Sequence, residues 1–233
     1  TLLLAACGSD GEGEGGEAAP PPEATTSADI VEDIAGAYPD QVSLAFENEY
    51  VRVLRFDFEP GTALPAHEGR RRVVYALGDY EIEWSVGDAA PERRSWSRGD
   101  VHAHDPGVHA VRNVGATPAS FVVFERLGAP LPSAGDAPHG ADDLPAGVEA
   151  VLTEPDLTVL EVELAPGEGQ EMHPGTWRVI YSLTDYTLEW MEGDDVGERS
   201  WSAGEAHWHE PGPHAASNVG DTPARWVIVT FGE

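Results

Sequence analysis

Short segments in which apolar and polar residues alternate occur in both halves of the chain. Val51–Phe58 and Leu157–Leu164 both contain this alternation, which is typical of β-strands. A Pro-Gly pair follows each segment, at residues 60–61 and 166–167, and marks a turn. Further short strands are predicted at residues 73–75, 80–84, 121–124, 179–181 and 226–229. Many short strands joined by Gly/Pro turns predict an all-β sandwich or jelly-roll barrel.

The second half of the chain repeats the first. Residues 60–88 align without gaps with residues 166–194, and roughly half of the positions are identical. Residues 95–124 and 200–229 read SWSRGDVHAHDPGVHAVRNVGATPASFVVF and SWSAGEAHWHEPGPHAASNVGDTPARWVIV. Self-similarity at this spacing indicates a duplicated domain. The predicted order is a signal end (1–7), an acidic tether (8–40), a first domain (41–127), a linker (128–147) and a second domain (148–233).

The composition of the tether and the charge of the chain narrow the possible partners. The tether is rich in Gly, Glu, Ala and Pro, which predicts disorder, with a short helix near residues 29–37. The formal net charge is -29, and all 13 basic residues are Arg. Such a surface repels nucleic acid, so no nucleic-acid partner is expected. Cys7 is the one cysteine, so an intrachain disulfide is excluded.

The first seven residues, TLLLAAC, form an apolar run that ends in small residues and Cys7. This segment resembles the end of a bacterial lipoprotein signal peptide, with LAAC at residues 4–7 as the lipobox. The resemblance implies a diacylglycerol on the Cys7 thiol and a secreted protein anchored to a membrane of the cell envelope, on its periplasmic or extracellular face. The alternative is an ordinary apolar N-terminus with a free thiol.

Each copy also carries a glycine–histidine and a histidine–asparagine spacing. These are Gly61-x5-His67 and His109-x3-Asn113 in the first copy, and Gly167-x5-His173 and His214-x3-Asn218 in the second. Their order resembles the two motifs of the cupin superfamily, over about residues 48–126 and 155–231. The resemblance implies two tandem cupin-type jelly-roll barrels, a bicupin, after the disordered tether. Typical cupins hold Mn, Fe, Ni or Zn with two His and a Glu from the first motif and a His from the second.

The first motif departs from that ligand pattern. Counted from the glycine, the second His position is Gly69 or Gly175, and the Glu position is Arg72 or Arg178. In another register, His67 is the second His of the pair. The four-ligand site is incomplete in either register, because an Arg repels a cation.

A second histidine pattern suggests a different metal site. His102 and His104 lie two residues apart, as do His207 and His209, so each pair shares one face of a strand. If that face looks into the barrel, an all-imidazole set could hold a divalent transition metal such as Zn, Fe, Mn or Ni. If it faces outward, these residues lie on the surface beside Asp105 or Glu210. The candidate ligands are His67, His102, His104, His109, His173, His207, His209 and His214.

Two arginines and two tyrosines are candidates for ligand binding. Arg72 and Arg178 could clamp a carboxylate or phosphate inside the barrel. Alternatively, they form salt bridges with Asp79 or Glu83, and with Asp185 or Glu189. Aromatic residues that recur in both copies more often pack in the core, but Tyr75 and Tyr181 are expected to contact a bound ligand. Asn113 and Asn218 are expected to cap a turn.

The sequence therefore predicts a cell-envelope bicupin lipoprotein that binds a small polar or anionic ligand through a histidine-based metal site. Two alternatives stay open. One is a metal-dependent enzyme, a dioxygenase, decarboxylase or isomerase, that acts on a small organic acid. The other is a metal-free barrel that serves as an interaction module in the envelope.

Overall fold

A computed structural model describes residues 30–87, 89–131 and 144–232 of the 233-residue chain. Cys7, residues 8–29 of the predicted tether and residues 132–143 of the predicted linker lie outside the described residues. Within the described ranges, no helix is long and apolar enough to cross a membrane.

The described residues form one short helix and eighteen strands. The first half contains α1 (Ile34–Ala37), β1 (Val42–Glu47), β2 (Val51–Phe58), β3 (Ala63–Gly69), β4 (Arg72–Ala76), β5 (Tyr80–Val86), β6 (Glu92–Trp96), β7 (Val101–His104), β8 (Gly107–Asn113) and β9 (Ala119–Arg126). The second half contains β10 (Val148–Glu154), β11 (Leu157–Leu164), β12 (Gly169–Gly175), β13 (Arg178–Ser182), β14 (Tyr186–Glu192), β15 (Asp195–Trp201), β16 (Ala206–His209), β17 (Gly212–Asn218) and β18 (Ala224–Phe231).

Each half is built from a five-stranded and a four-stranded antiparallel sheet. In the first half the strand orders are β1-β2-β9-β4-β7 and β3-β8-β5-β6. In the second half the equivalent strands give β10-β11-β18-β13-β16 and β12-β17-β14-β15. The prediction of an all-β fold with two tandem jelly-roll barrels is confirmed.

The five-stranded sheets are buried on both faces, and strand alternation determines which residues face which core. In β2, Leu54 and Phe56 point into the first barrel, whereas Val51 and Val53 point away from it. The outward faces of the two five-stranded sheets pack against each other and bury Phe124 and Trp177, among others. One continuous apolar core therefore joins the two barrels.

The two ends of the interface between barrels differ in chemistry. At one end, the Arg71 guanidinium of the first barrel binds the Asp156 carboxylate of the second at 2.8 and 3.0 Å. At the other end, Tyr50 stacks on Trp208 with ring centroids 5.2 Å apart, and Trp208 stacks on Trp177 at 5.1 Å. In the repeat, Trp177 occupies the position of Arg71. An ion pair at one end therefore corresponds to an aromatic stack at the other.

The segment before β1 packs on the first barrel. The Val31 amide donates to the Ala66 carbonyl at 2.9 Å, and the Ile34 side chain is only 3% exposed within the core of this barrel. Residues 30–40 thus belong to the folded part, which corrects the predicted tether boundary at residue 40. The short helix predicted near residues 29–37 is present as α1 (Ile34–Ala37), but the composition gave no sign that it packs on the barrel.

An asparagine occurs at the end of β8 and at the equivalent end of β17, and each stabilises the turn that follows. The Asn113 side-chain amide donates to the carbonyls of Phe58 (3.0 Å) and Thr117 (2.9 Å), and its oxygen accepts from the Gly115 amide (3.0 Å). Asn218 makes the equivalent three bonds in the second barrel. The predicted turn-capping role is confirmed.

Candidate functional site

Strand pairing brings the histidines of each copy together. In the first barrel, His67 on β3 lies opposite His109 on β8, and His104 on β7 lies opposite Arg72 on β4. Residues that are directly opposite on neighbouring strands share a face and are in contact range. The second barrel repeats this arrangement with His173 opposite His214 and His209 opposite Arg178.

All eight candidate histidines point into a barrel interior. A cavity in the first barrel is lined by His67, His102, His104, His109 and Arg72. A cavity in the second is lined by His173, His207, His209, His214 and Arg178. The face shared by the two-residue histidine spacing is therefore the inner one, and the alternative of surface histidines does not hold.

Within each barrel the rings lie in pairs. The ring centroids of His67 and His109 are 4.2 Å apart, and those of His102 and His104 are 4.8 Å apart. His102 also stacks on Trp96 at 3.7 Å. The equivalent histidine pairs of the second barrel have separations of 4.2 and 4.9 Å.

A buried arginine lies among the imidazoles of each barrel. The Nη2 atom of Arg72 is 3.4 Å from both ring nitrogens of His109, and its Nη1 donates to the Arg70 carbonyl at 3.1 Å. In the second barrel, Nη1 of Arg178 donates to the Thr176 carbonyl at 2.9 Å. Arg72 and Arg178 are only 5% and 7% exposed, so each barrel holds a buried guanidinium among its imidazoles.

The absence of a side chain at Gly69 and Gly175 makes room for these guanidiniums. A Cβ atom at Gly69 would lie 2.7 Å from Cζ of Arg72, and one at Gly175 would lie 2.7 Å from Nη1 of Arg178. These glycines stand where the cupin resemblance places the second histidine ligand. The guanidinium therefore lies beside the position that the cupin resemblance assigns to a histidine ligand.

The residues present do not fit a divalent metal ion. Among the described residues, no group of three or more His, Cys, Asp or Glu is placed to hold one. A guanidinium that contacts an imidazole, as Arg72 contacts His109, would also repel a bound cation. The eight-histidine metal set stays a prediction.

Burial sets the charge state of the site at neutral pH. Burial is the largest cause that lowers the pKa of His209 to about 3 and of His214 to about 4. Burial also lowers the pKa of Arg178 to about 10, which keeps its guanidinium charged near neutrality. The second barrel thus holds one buried cation among neutral imidazoles, which can donate or accept hydrogen bonds.

The carboxylate next to Arg72 in the first barrel is Glu125, and not the predicted Asp79 or Glu83. Arg72 lies directly across from Glu125 on β9, whose carboxylate is buried and accepts from Nε and Nη2 of Arg52 at 2.9 and 2.7 Å. Neither Asp79 nor Glu83 forms an ion pair with Arg72 within 4.0 Å; Asp79 instead accepts from the Arg98 amide at 2.8 Å. Asp79 lies in the turn before β5, away from the barrel interior.

The arginine of the second barrel has no such carboxylate neighbour on the adjacent strand. Within the described ranges, no carboxylate oxygen lies within 4.0 Å of the Arg178 guanidinium, so the predicted salt bridges to Asp185 and Glu189 are absent. Thr230 occupies the β18 position that corresponds to Glu125. The acidic group that counteracts the effect of burial on the Arg178 pKa is Glu192, an exposed residue at the cavity mouth.

The two cavities differ strongly in size. The cavity of the first barrel has a volume of about 50 Å³ and is partly filled by Ile34 from α1. That of the second barrel has about 420 Å³. Its wall combines Arg178 with a second cation, Arg199, which lies over the Trp201 ring at 5.1 Å. Apolar side chains supply much of the remaining surface, including Leu160, Ile180, Leu188, Trp190, Trp226 and Ile228.

The two candidate tyrosines lie elsewhere. Tyr75 and Tyr181 are buried in the core between the barrels, and the Tyr75 hydroxyl donates to Glu161 of the other barrel. Arg72 and Tyr75 are three residues apart on one strand, so their side chains point to opposite faces. This placement corrects the prediction that the tyrosines share a ligand site with the arginines.

Comparisons with known proteins agree with this architecture. No protein-family model and no curated protein matches the chain. Among solved structures, AerE from Microcystis aeruginosa matches at 15% identity over 83% of this chain and 93% of its own, with a TM-score of 0.61. The Bacillus subtilis oxalate decarboxylase described with Mn(II) centers matches at 12% identity over 83% and 76%, with a TM-score of 0.58.

A third solved structure that matches the chain is described as a cupin. A cupin 2 conserved barrel domain protein from Leptotrichia buccalis is 13% identical over 82% of this chain and 88% of its own, with a TM-score of 0.50. At sequence identities of 12–15%, these matches show similarity of the fold alone. The chain has the cupin fold, in the form of two tandem barrels.

Proposed function

We propose that this chain binds a small organic anion in its second barrel, with the carboxylate of that anion on Arg178. One observation carries the proposal: Arg178 is only 7% exposed, has no carboxylate within 4.0 Å among the described residues, and borders a cavity of about 420 Å³. A buried charge without a partner is costly, typically by several kcal/mol, and a bound carboxylate would offset that cost.

The chemistry around Arg178 suits a carboxylate. A guanidinium presents parallel N–H donors that match the two oxygens of a carboxylate. His209 and His214 line the same cavity, and their lowered pKa values keep the rings neutral at pH 7. A neutral imidazole can donate one hydrogen bond to the anion without adding a second buried charge.

The remaining wall favours an anion with an apolar body. Trp190, Trp226 and Ile180 line the cavity, and its volume falls in the range of about 300–1,000 Å³ that is common for small-molecule sites. A ligand as small as oxalate would leave this apolar surface without contacts. The proposed ligand class is therefore a monocarboxylate with an aromatic or branched aliphatic body.

Replacing Arg178 by Gln is expected to weaken carboxylate binding about 10- to 100-fold, the usual value of a hydrogen bond to a charged group. Isothermal titration calorimetry with acetate, oxalate, benzoate and 4-phenylbutyrate measures this, and benzamide serves as the uncharged match to benzoate. Arg72→Gln in the first barrel is the matched control and should leave the affinity within about twofold.

Two results would count against the proposal. One is that none of the four carboxylates binds the native protein more tightly than benzamide does. The other is that Arg178→Gln binds benzoate or 4-phenylbutyrate with native affinity.

A second candidate function is a metal-dependent enzyme that acts on a small organic acid, because one structural neighbour is an oxalate decarboxylase with Mn(II) centers. The guanidiniums at Arg72 and Arg178 oppose this candidate. We expect less than about 0.1 equivalent of Mn, Fe, Ni or Zn per chain after purification and metal loading, measured by mass spectrometry of the elements. One equivalent that is lost on replacing both His109 and His214 by Ala would instead favour the enzyme.

The proposed location is the cell envelope. The apolar run that ends at Cys7 and the acidic segment after it support a lipid anchor that holds the barrels away from the membrane. Mass analysis of Cys7 peptides from the membrane fraction tests whether the thiol carries a diacylglycerol.

A further inference from the structure

The two barrels differ in a row of three residues that crosses neighbouring strands of the five-stranded sheet. In the first barrel the row is Arg52 on β2, Glu125 on β9 and Arg72 on β4, each directly opposite the next. In the second barrel the corresponding residues are Thr158 on β11 and Thr230 on β18, which lie directly opposite each other, and Arg178 on β13, which lies one residue before the paired Val179 and Val229. Both barrels thus have an arginine at this position, but the residue next to it is Glu125 in the first barrel and Thr230 in the second.

In the row of the first barrel, one carboxylate lies between two guanidinium groups. Glu125 is only 3% exposed and accepts two hydrogen bonds from Arg52, and its negative charge acts against the effect of burial on the pKa of Arg72. Glu125 and Arg72 border the same small cavity. A protein carboxylate already lies next to this arginine, without an oxygen within 4.0 Å of its guanidinium, and its negative charge would repel an external anion.

The row of the second barrel lacks that carboxylate. Thr230 borders the large cavity together with Arg178, and its side chain is shorter than the Glu125 side chain by the length of a carboxylate group. A threonine hydroxyl can donate one hydrogen bond to an anion. The space and the hydroxyl donor therefore lie beside a buried cation that has no carboxylate oxygen within 4.0 Å among the described residues.

We infer that Thr230 is the reason why the second barrel binds an anion and the first does not. Its hydroxyl donates a hydrogen bond to the carboxylate that Arg178 binds. This inference rests on the proposed function and adds to it a residue that determines specificity. A ligand carboxylate in the second barrel takes the place that the Glu125 carboxylate has in the first.

The test is to install the carboxylate of the first barrel in the second. Thr230→Glu should weaken benzoate and 4-phenylbutyrate at least about 100-fold by calorimetry, because an internal carboxylate would pair with Arg178 and repel the probe. Thr230→Val keeps the shape without the hydroxyl and should weaken the probes about 3- to 10-fold. Thr230→Gln has the length of Glu without its charge and should fall between these variants.

Benzamide distinguishes the effect of charge from the effect of side-chain size in this series. Because this probe is uncharged, Thr230→Glu should weaken its binding no more than Thr230→Gln does. Glu125→Gln is the control in the first barrel and should leave probe binding within about twofold. Circular dichroism and thermal unfolding establish that each variant is folded, and the Val and Gln variants test the inference even if the Glu variant does not fold.

The outcomes distinguish the inference from the proposed function. If Arg178→Gln abolishes binding while Thr230→Glu and Thr230→Val bind as the native protein does, the inference is wrong and the proposed function stands. If Arg178→Gln and the Thr230 variants all bind with native affinity, both are wrong. Equal losses in the Glu and Gln variants would show that filled space, and not charge, acts at this position, and would overturn the inference.

Discussion

Acidification from pH 7 to pH 5 is expected to lower the free energy of unfolding steeply. Burial holds the pKa values of His102 and His209 at about 3, and of His104, His207 and His214 at about 4, whereas the reference value is 6.5. Below pH 6.5 the unfolded chain therefore binds protons that the folded chain excludes. The stability from these rings is present above pH 6.5 and is lost as the pH falls from there towards 4.

The size of the effect follows from proton linkage. Each ring contributes a slope of at most about 1.4 kcal/mol per pH unit, so five rings could remove several kcal/mol by pH 5. That is a large share of the 5–15 kcal/mol that is typical of a folded protein. Urea unfolding followed by tryptophan fluorescence at pH 7.5, 6.5, 5.5 and 4.5 measures it.

A single-ring variant provides the control for this prediction. His209→Gln removes one titrating group from the second barrel and should reduce the slope below pH 6.5 by up to about 1.4 kcal/mol per pH unit. A native protein whose stability is unchanged between pH 7.5 and 5 would refute the buried neutral state of these imidazoles.

Replacing Trp177 by Ala is expected to destabilise the protein by about 3–5 kcal/mol. The Trp177 side chain is 2% exposed in the core between the barrels and stacks on Trp208 with an interplanar angle of 12°. Its removal would leave a cavity in the interface that no neighbouring side chain fills. Urea unfolding at pH 7.5 measures the loss.

The repeat supplies a matched control at the equivalent position of the other copy. Arg71 binds Asp156 through a partly exposed ion pair, so Arg71→Ala should cost at most about 1 kcal/mol, and less in high salt. If Trp177→Ala and Arg71→Ala lowered the free energy of unfolding by similar amounts, the aromatic end of the interface would not be its more stabilising end.

The sequence pattern was sufficient for the fold, because alternation and turns are local properties. Val51–Phe58 is a strand with the predicted bounds, and the repeat divides the described sheets into two equivalent barrels. At residues 30–40 the pattern predicted a short helix but not its packing, because the burial of Ile34 depends on a barrel that forms from residues farther along the chain.

The site was predictable in part. The two-residue spacing of His102 and His104 indicated a shared face, and the structure shows that this face is the inner one. The Tyr75 error was avoidable, since an odd separation from Arg72 already places the two side chains on opposite faces. The Arg72–Glu125 pairing was not predictable, because it depends on the register between β4 and β9, which are distant in sequence.

The close fit between Gly175 and Arg178 also limits how this barrel can change over evolutionary time. A side chain gained first at residue 175 would place its Cβ 2.5 Å from Cε1 of His214 and 2.7 Å from Nη1 of Arg178, so both of those side chains would have to move. A carboxylate gained first at residue 178 would stand buried without a cation beside it. Either replacement made first requires the neighbouring side chains to rearrange, so we expect residues 175 and 178 to change together.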